Sequence, residues 1–207
     1  MQKMLIAIVL LGLAGAKISG AEDAGSSGAL VWCGLDYSKV KMIGTADFRQ
    51  PDKIFPGLLA EWNALFIKEM FPQLEKMAKP VKTDLGAVTA ANEKASPTQI
   101  ERQDGTANEM VKPTHLTESE MAQMVKSYPL KNDSGVGLVF IMDRLVKAQA
   151  TGCLYVVYFD VATRKVLLSE RVVAGAGGAG FRNYWFSPIK TAVKGLPKQY
   201  KQVTGKK

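Results

Sequence analysis

Residues 172–190 read VVAGAGGAGFRNYWFSPIK. Gly175, Gly177 and Gly180 satisfy G-x-G-x-x-G, a spacing that lets backbone amides close on a dinucleotide pyrophosphate at a helix start. The residues that follow add chemistry of their own. Arg182 and Asn183 offer directional hydrogen bonds, and Phe181, Tyr184 and Trp185 offer flat surfaces suited to a sugar, a peptide or a protein partner. Dinucleotide binding also needs a following parallel strand and an acidic residue about 20 positions on. Only 27 residues follow Gly180, they carry no strand pattern, and no Asp or Glu occurs after Glu170. No Gly-Lys-Ser/Thr closes a Walker loop. The glycines therefore read first as a turn from a strand into a helix, where they permit positive φ. The chemical reading left to them is an anion site: Gly177, Gly178 and Gly180, the amides of the helix start and Arg182 would hold a carboxylate, sulfate or sugar phosphate. The aromatic residues divide in the same way. Phe181 and Trp185 either anchor the helix in the core with Asn183 as its cap, or line a ligand surface with Tyr184.

Other chemistries need residues that the chain supplies thinly. The sole histidine, His115, stands between Pro113-Thr114 and Leu116-Thr117, with neither cysteine in a nucleophile motif and no G-x-S-x-G elbow for it to serve. It reads as a loop residue beside a helix start. One histidine and two distant cysteines give no metal-ligand spacing, so no metal and no cofactor are expected. Carboxylates could still support hydrolysis if some of Asp36, Asp47, Glu61, Glu69, Asp143, Asp160 and Glu170 converge. Asp160, in FDVATRK, reads better as a turn former whose side chain accepts backbone amides. Cys33 and Cys153 each sit in an apolar run, ALVWCGL and GCLYVVYF. In an oxidising compartment they could form a disulfide, and two buried free thiols fit equally well.

These side chains need elements to position them. ALVWCGLDY (29–37) is an apolar run without helical period and predicts a buried strand. In FPGLLAEWNALFIKEMF, Leu58, Leu59, Trp62, Leu65, Phe66 and Met70 recur at three- and four-residue steps, which predicts an amphipathic helix that Pro72 ends or kinks. Residues 79–116 form a weakly patterned connection with a short strand near Val81–Val88. Thr117 and Glu120 make a capping box that opens a helix carrying Met121, Met124, Val125 and Tyr128. Three strands starting at Gly135, Gly152 and Lys165 follow, joined by short turns, so they predict an antiparallel meander. A last helix runs from Asn183 to about Lys194. The sum is an α+β fold: a mixed, largely antiparallel sheet with an antiparallel C-terminal meander and about three helices packed on it. One domain spans 29–196, after a flexible lead-in at 22–28 and before a basic, solvated tail at 197–207.

Residues 135–185 carry a recognisable signature. Phe159, Asp160, Thr163, Val166 and Leu167 spell F-D-x-x-T-x-x-V-L, and Gly180–Trp185 spell G-F-R-N-Y-W. The chain resembles a group of uncharacterised small exported bacterial envelope proteins that share both, and the WNALFIKEMF and HLTESEMAQMVKSYPL segments fit the same pattern. The resemblance implies envelope export and an α+β domain, and no activity. The order of elements is more distantly similar to the periplasmic α/β domains of curli-assembly-type lipoproteins, a likeness of fold only.

The amino terminus supports export independently. Lys3, an apolar run from Met4 to Leu13 and small residues up to Ala21 match a secretory signal peptide, and the run is too short for a permanent span. Cleavage after Ala16 or after Ala21 satisfies the small-residue rule. The second leaves Glu22-Asp23 at the new terminus, so residues 1–21 are taken as the signal. Loss of Lys3 and Lys17 lowers the net charge from +8 to +6. Outside the cytoplasm that excess points to an anionic surface, an acidic glycan or an envelope protein as partner, and nucleic acid is not expected. The expected function is a non-catalytic binding or assembly module of the envelope. The alternatives are a small anionic-ligand binder using the Gly175–Gly180 loop, and a carboxylate-dependent hydrolase.

Overall fold

The computed structural model describes residues 28–44, 48–101 and 116–205. The expected signal segment 1–21, nearly all of the lead-in, Asp47, His115 and the last two lysines lie outside them. Among the described residues seven strands form one sheet: β1 (Leu30–Asp36), β2 (Lys41–Ile43), β3 (Val81–Thr83), β4 (Ile100–Glu101), β5 (Val136–Val146), β6 (Thr151–Asp160) and β7 (Val166–Gly175). Every residue of β1 and β5 is buried, as expected for strands covered on both faces.

β5 is the axis of the sheet. Along one edge it pairs in parallel with β1, Asp36 lying opposite Ile141, and then with β2, Lys41 lying opposite Arg144. β1 and β2 are thus two lengths of one interrupted strand. β3 extends the sheet beyond β1 and β4 beyond β2, again in parallel. Along its other edge β5 pairs antiparallel with β6, and β6 with β7.

The helices fall on two sides. A single turn, α1 (Pro51–Lys53), and an irregular stretch (54–58) with Phe55 extended lead into α2 (Leu59–Glu69), and α3 (Phe71–Met77) follows with Pro72 in its first turn. Together with α6 (Phe181–Val193) and α7 (Leu196–Thr204) they bury Trp62, Phe66, Phe186, Ile189 and Tyr200 against Trp32, Phe140 and Tyr158 of the sheet. On the opposite face α4 (Gly86–Asn92) and α5 (Glu118–Ser127) pack Val88, Met121 and Val125 against Val31, Val139 and Val157. The alternation of adjacent strand residues between the two cores is the period of two that the pleat requires.

This is an α/β arrangement, and it corrects the expected α+β fold with a largely antiparallel sheet and about three helices. Three of the four parallel pairings involve β2, β3 and β4, of two or three residues each, too short to show a pattern. A strand buried on both faces, such as β1, carries no signal of direction. Within the connection expected at 79–116, β3, α4 and β4 are ordered elements. The tail is corrected too. Leu196, Gln199 and Tyr200 of α7 are buried, and the Tyr158 hydroxyl donates to Leu196 O at 3.4 Å.

Where β3 stops opposite Trp32, β1 runs on paired with β5 on one edge and, among the described residues, with no strand on the other. Three side-chain amides take the missing strand's place. Leu35 N donates to Asn63 Oδ1 (2.8 Å), and Asn63 Nδ2 returns a bond to Leu35 O (3.1 Å). Tyr37 N donates to Asn92 Oδ1 (2.6 Å), and Asn92 Nδ2 also reaches Leu35 O. Gln99 Nε2 donates to Tyr37 O and Val40 O. The approach is close because Gly34 adopts φ +108, where a Cβ would lie 2.7 Å from Asn63 Oδ1. Buried backbone groups must be paired, and here the partners come from α2, α4 and the turn before β4.

Candidate functional site

The glycine segment joins the end of β7 to α6, and the helix itself explains how the loop is held. Pro188 lies inside α6 and has no N–H, so Tyr184 O loses its usual helical donor. Gly177 N (3.1 Å) and the Ser187 hydroxyl (3.1 Å) donate to that carbonyl instead. Ser187 Oγ also accepts from Gly177 N (2.8 Å), and its single proton is shared between Tyr184 O and Gly175 O (3.0 Å). Gly177 is therefore engaged within the loop, and its amide does not face a ligand. Gly178 (φ +115) and Gly180 (φ +78) take left-handed backbone that disfavours other residues. The loop follows an antiparallel edge strand, so the dinucleotide geometry is absent here.

The open part of the segment is the helix start. Gly180 occupies the N-cap and brings no side chain, and Tyr184 N is the first amide bonded back to it. Asn183 is therefore not the cap. The amides of Phe181, Arg182 and Asn183 have no carbonyl one turn behind them, which leaves partial positive charge at this end. Trp185 is core: it is 1% exposed and stacks on Phe48 with ring centroids 5.4 Å apart. Trp62 Nε1 donates to Arg182 O (2.9 Å), tying the helix start to α2. Tyr184 is half-buried, with the Lys147 ammonium 4.3 Å from its ring centre.

Phe181 is different, being 37% exposed while resting edge-on against Phe48. It forms the wall between two clefts. One, of about 400 Å³, is lined by Arg49, Lys53, Leu58, Glu61 and Arg182 as well as Phe181. The other, of about 280 Å³, is lined by Lys147, Gly178, Gly180, Tyr184 and Trp185. Four cations thus gather about one exposed aromatic ring, with Glu61 the single acid among the described residues of either lining. Arg49, Lys53 and Lys147 had no signal in the sequence, because they come from the turn at α1 and the β5–β6 turn.

The other candidate chemistry disperses. Asp160 Oδ1 accepts from Thr163 N and Thr163 Oγ1, both at 2.7 Å, as a turn former does. Glu69 pairs with Lys190 at 2.7 Å, and buried Asp143 lies 4.0 Å from Arg144. Asp36 is wholly buried, accepting from Ser38 N (2.7 Å) and the Tyr128 hydroxyl (2.5 Å), and burial holds its carboxyl above the usual range. It lines a cleft of about 440 Å³ between α4 and α5 that holds no second carboxylate among the described residues. No group of three metal-ligating side chains forms among the described residues.

Of the two readings left open for Cys33 and Cys153, a disulfide or two buried free thiols, the structure has the second, for both thiols are free and buried. Cys33 sits on β1 at the level of Leu138 and Val139, and Cys153 on β6 opposite Arg144. With β5 between them they are about 10 Å apart across the sheet and about 16 Å along it, beyond the reach of about 7 Å between Cα atoms. Burial pushes the Cys33 thiol up to about 12.

No family model, curated protein or solved structure matches this chain.

Proposed function

We propose that the protein is a binding module of the cell envelope that docks an anionic, partly apolar ligand or partner at the start of α6. One observation carries this reading: Phe181 stands exposed between two clefts where Arg49, Lys53, Arg182 and Lys147 meet the open amides of a 13-residue helix. An acidic glycan suits such a surface, since carboxylates or sulfates would meet the cations while a sugar face stacks on Phe181. The envelope setting rests on the signal-like residues 1–21. Among the described residues no helix is long and apolar enough to cross a membrane.

The reading is tested by following backbone amide resonances as a sulfated oligosaccharide is added. Saturable shifts centred on Phe181–Asn183, and lost in Arg182→Gln and Phe181→Ala, are expected. Shifts spread over surface lysines would defeat it. Mass spectrometry of the protein from the cell that makes it should show residues 1–21 removed.

A further inference from the structure

The F-D-x-x-T motif lies at the other end of β7, and its geometry is that of a platform. Asp160 Oδ1 holds Thr163 through two bonds, Asp160 N donates to Lys165 O (2.8 Å), and Arg164 N donates to Asp160 O (2.8 Å). Phe159 is buried over Gly137, where a Cβ would stand 2.3 Å from its ring. Within this rigid turn Arg164 is held at φ +62, left-handed backbone that non-glycine residues seldom adopt. A turn needs no arginine there, since Asn, Asp or Gly would take that φ more readily.

What Arg164 presents is an unanswered charge. Its Nη1 is shut off from solvent, and no protein acceptor lies within hydrogen-bond distance of it among the described residues. A guanidinium cannot shed its proton, so its charge stays in place without a protein partner at Nη1, and an anion in the cleft that Arg164 lines would offset it through the guanidinium's remaining donors. Arg164 lines a cleft of about 690 Å³ between α5 and the start of β7. Lys126 and Lys165 add two cations and Ser119 a hydroxyl, whereas the Thr163 and Ser169 hydroxyls donate to Asp160 Oδ1 and Met121 Sδ, and Glu118 is the only acid among the described lining residues. No ion pair joins Arg164 to Glu118 or to any other described carboxylate. Three cations, one of them a fork-shaped guanidinium, and the Ser119 hydroxyl suit a tetrahedral oxyanion, which a guanidinium binds through two parallel bonds.

We propose that this cleft is a phosphate-binding site, with Arg164 as its principal ligand and Lys126 and Lys165 as supporting charges. It is separate from the α6 surface. The ten residues of β7 put about 30 Å between the two, and they lie against opposite faces of the sheet. The phosphate could belong to a lipid headgroup or to a soluble compound.

The test is thermal unfolding of the full chain in increasing sodium phosphate, with sodium chloride added to hold ionic strength constant. Saturable stabilisation of the wild type is expected, because a ligand bound only by the folded state raises the midpoint. Arg164→Gln should weaken the apparent affinity at least tenfold and Arg164→Lys less, while Lys198→Gln, exposed on α7 and outside the clefts described above, leaves it unchanged. Sedimentation with phosphatidylglycerol–phosphatidylcholine vesicles identifies the source. Vesicle binding that Arg164→Gln abolishes names a headgroup, and phosphate binding without vesicle binding names a soluble phosphate. The proposal is overturned if phosphate stabilises no more than chloride does, or if Arg164→Gln responds as the wild type. Loss of the response in Arg182→Gln alone would move the anion site to α6.

Discussion

The two flanks of β5 are held by different means. On one side β6 and β7 form long antiparallel ladders closed by short turns, so neighbours in the sheet are neighbours in the chain. On the other, β1 and β2 lie parallel to β5, and where β1 outruns β3 its edge is completed by Asn63, Asn92 and Gln99. The antiparallel flank rests on local pairing. The parallel flank rests on buried side-chain hydrogen bonds from elements up to 62 residues away, and such bonds are costly to lose singly.

The largest expected effect follows from that contrast. Asn63→Ala removes bonds to Leu35 N, Leu35 O and Leu59 O at a site 9% exposed. It should destabilise the fold by about 3 kcal/mol, because Leu35 N is left buried without an acceptor. Urea unfolding measures it. Combined with Asn92→Ala, the loss should depart from additivity, since both amides serve Leu35 O. A loss under 1 kcal/mol would mean that the edge of β1 is not sustained by these amides.

Gly137→Ala probes the antiparallel flank through packing. The added methyl would meet the Phe159 ring at 2.3–2.6 Å from the facing strand. About 2 kcal/mol is expected, the usual cost of overfilling a close-packed core. Asp160→Ala comes next. It removes two bonds to Thr163 at an exposed turn, so about 1 kcal/mol should be lost. If its effect exceeded that of Asn63→Ala, the turn and not the amide edge would be the more critical device.

The contrast also explains what the sequence discloses. The hairpins are legible because apolar runs alternate with short polar turns. The parallel strands are not, since β3 is three residues long with two of them exposed, and nothing local announces its partner. GAVTAAN hides α4 because alanines blur its buried face, and the lysines of α7 mask the spacing of Leu196, Tyr200 and Val203. The site follows the same division. Phe181, Arg182 and Tyr184 are contiguous and could be singled out together, whereas Arg49, Lys53 and Lys147 converge on them only through the fold. The G-x-G-x-x-G spacing says nothing of Pro188, whose missing amide proton determines where Gly177 docks.

Asp36 lies at the junction of β1 and β2, and its titration tests the parallel flank most finely. Burial raises its carboxyl pKa above the ordinary value, against the opposing effects of hydrogen bonds from Ser38 and Tyr128 and of the nearby Lys39 charge. A carboxyl raised on folding binds its proton more tightly in the native state. Its contribution to stability is therefore complete below about pH 4, the unfolded value, and is lost as pH rises through the folded-state pKa. The amide in D36N does not titrate, so the difference in unfolding free energy between wild type and D36N should fall with rising pH and then level off. Urea unfolding of both proteins from pH 3.5 to 8, in steps of about half a unit, would show this. Parallel curves would mean that Asp36 keeps its charge in the fold, with Lys39 and the hydrogen bonds from Ser38 and Tyr128 outweighing burial. The Tyr128 bond would then be a charge-assisted tie between α5 and β1.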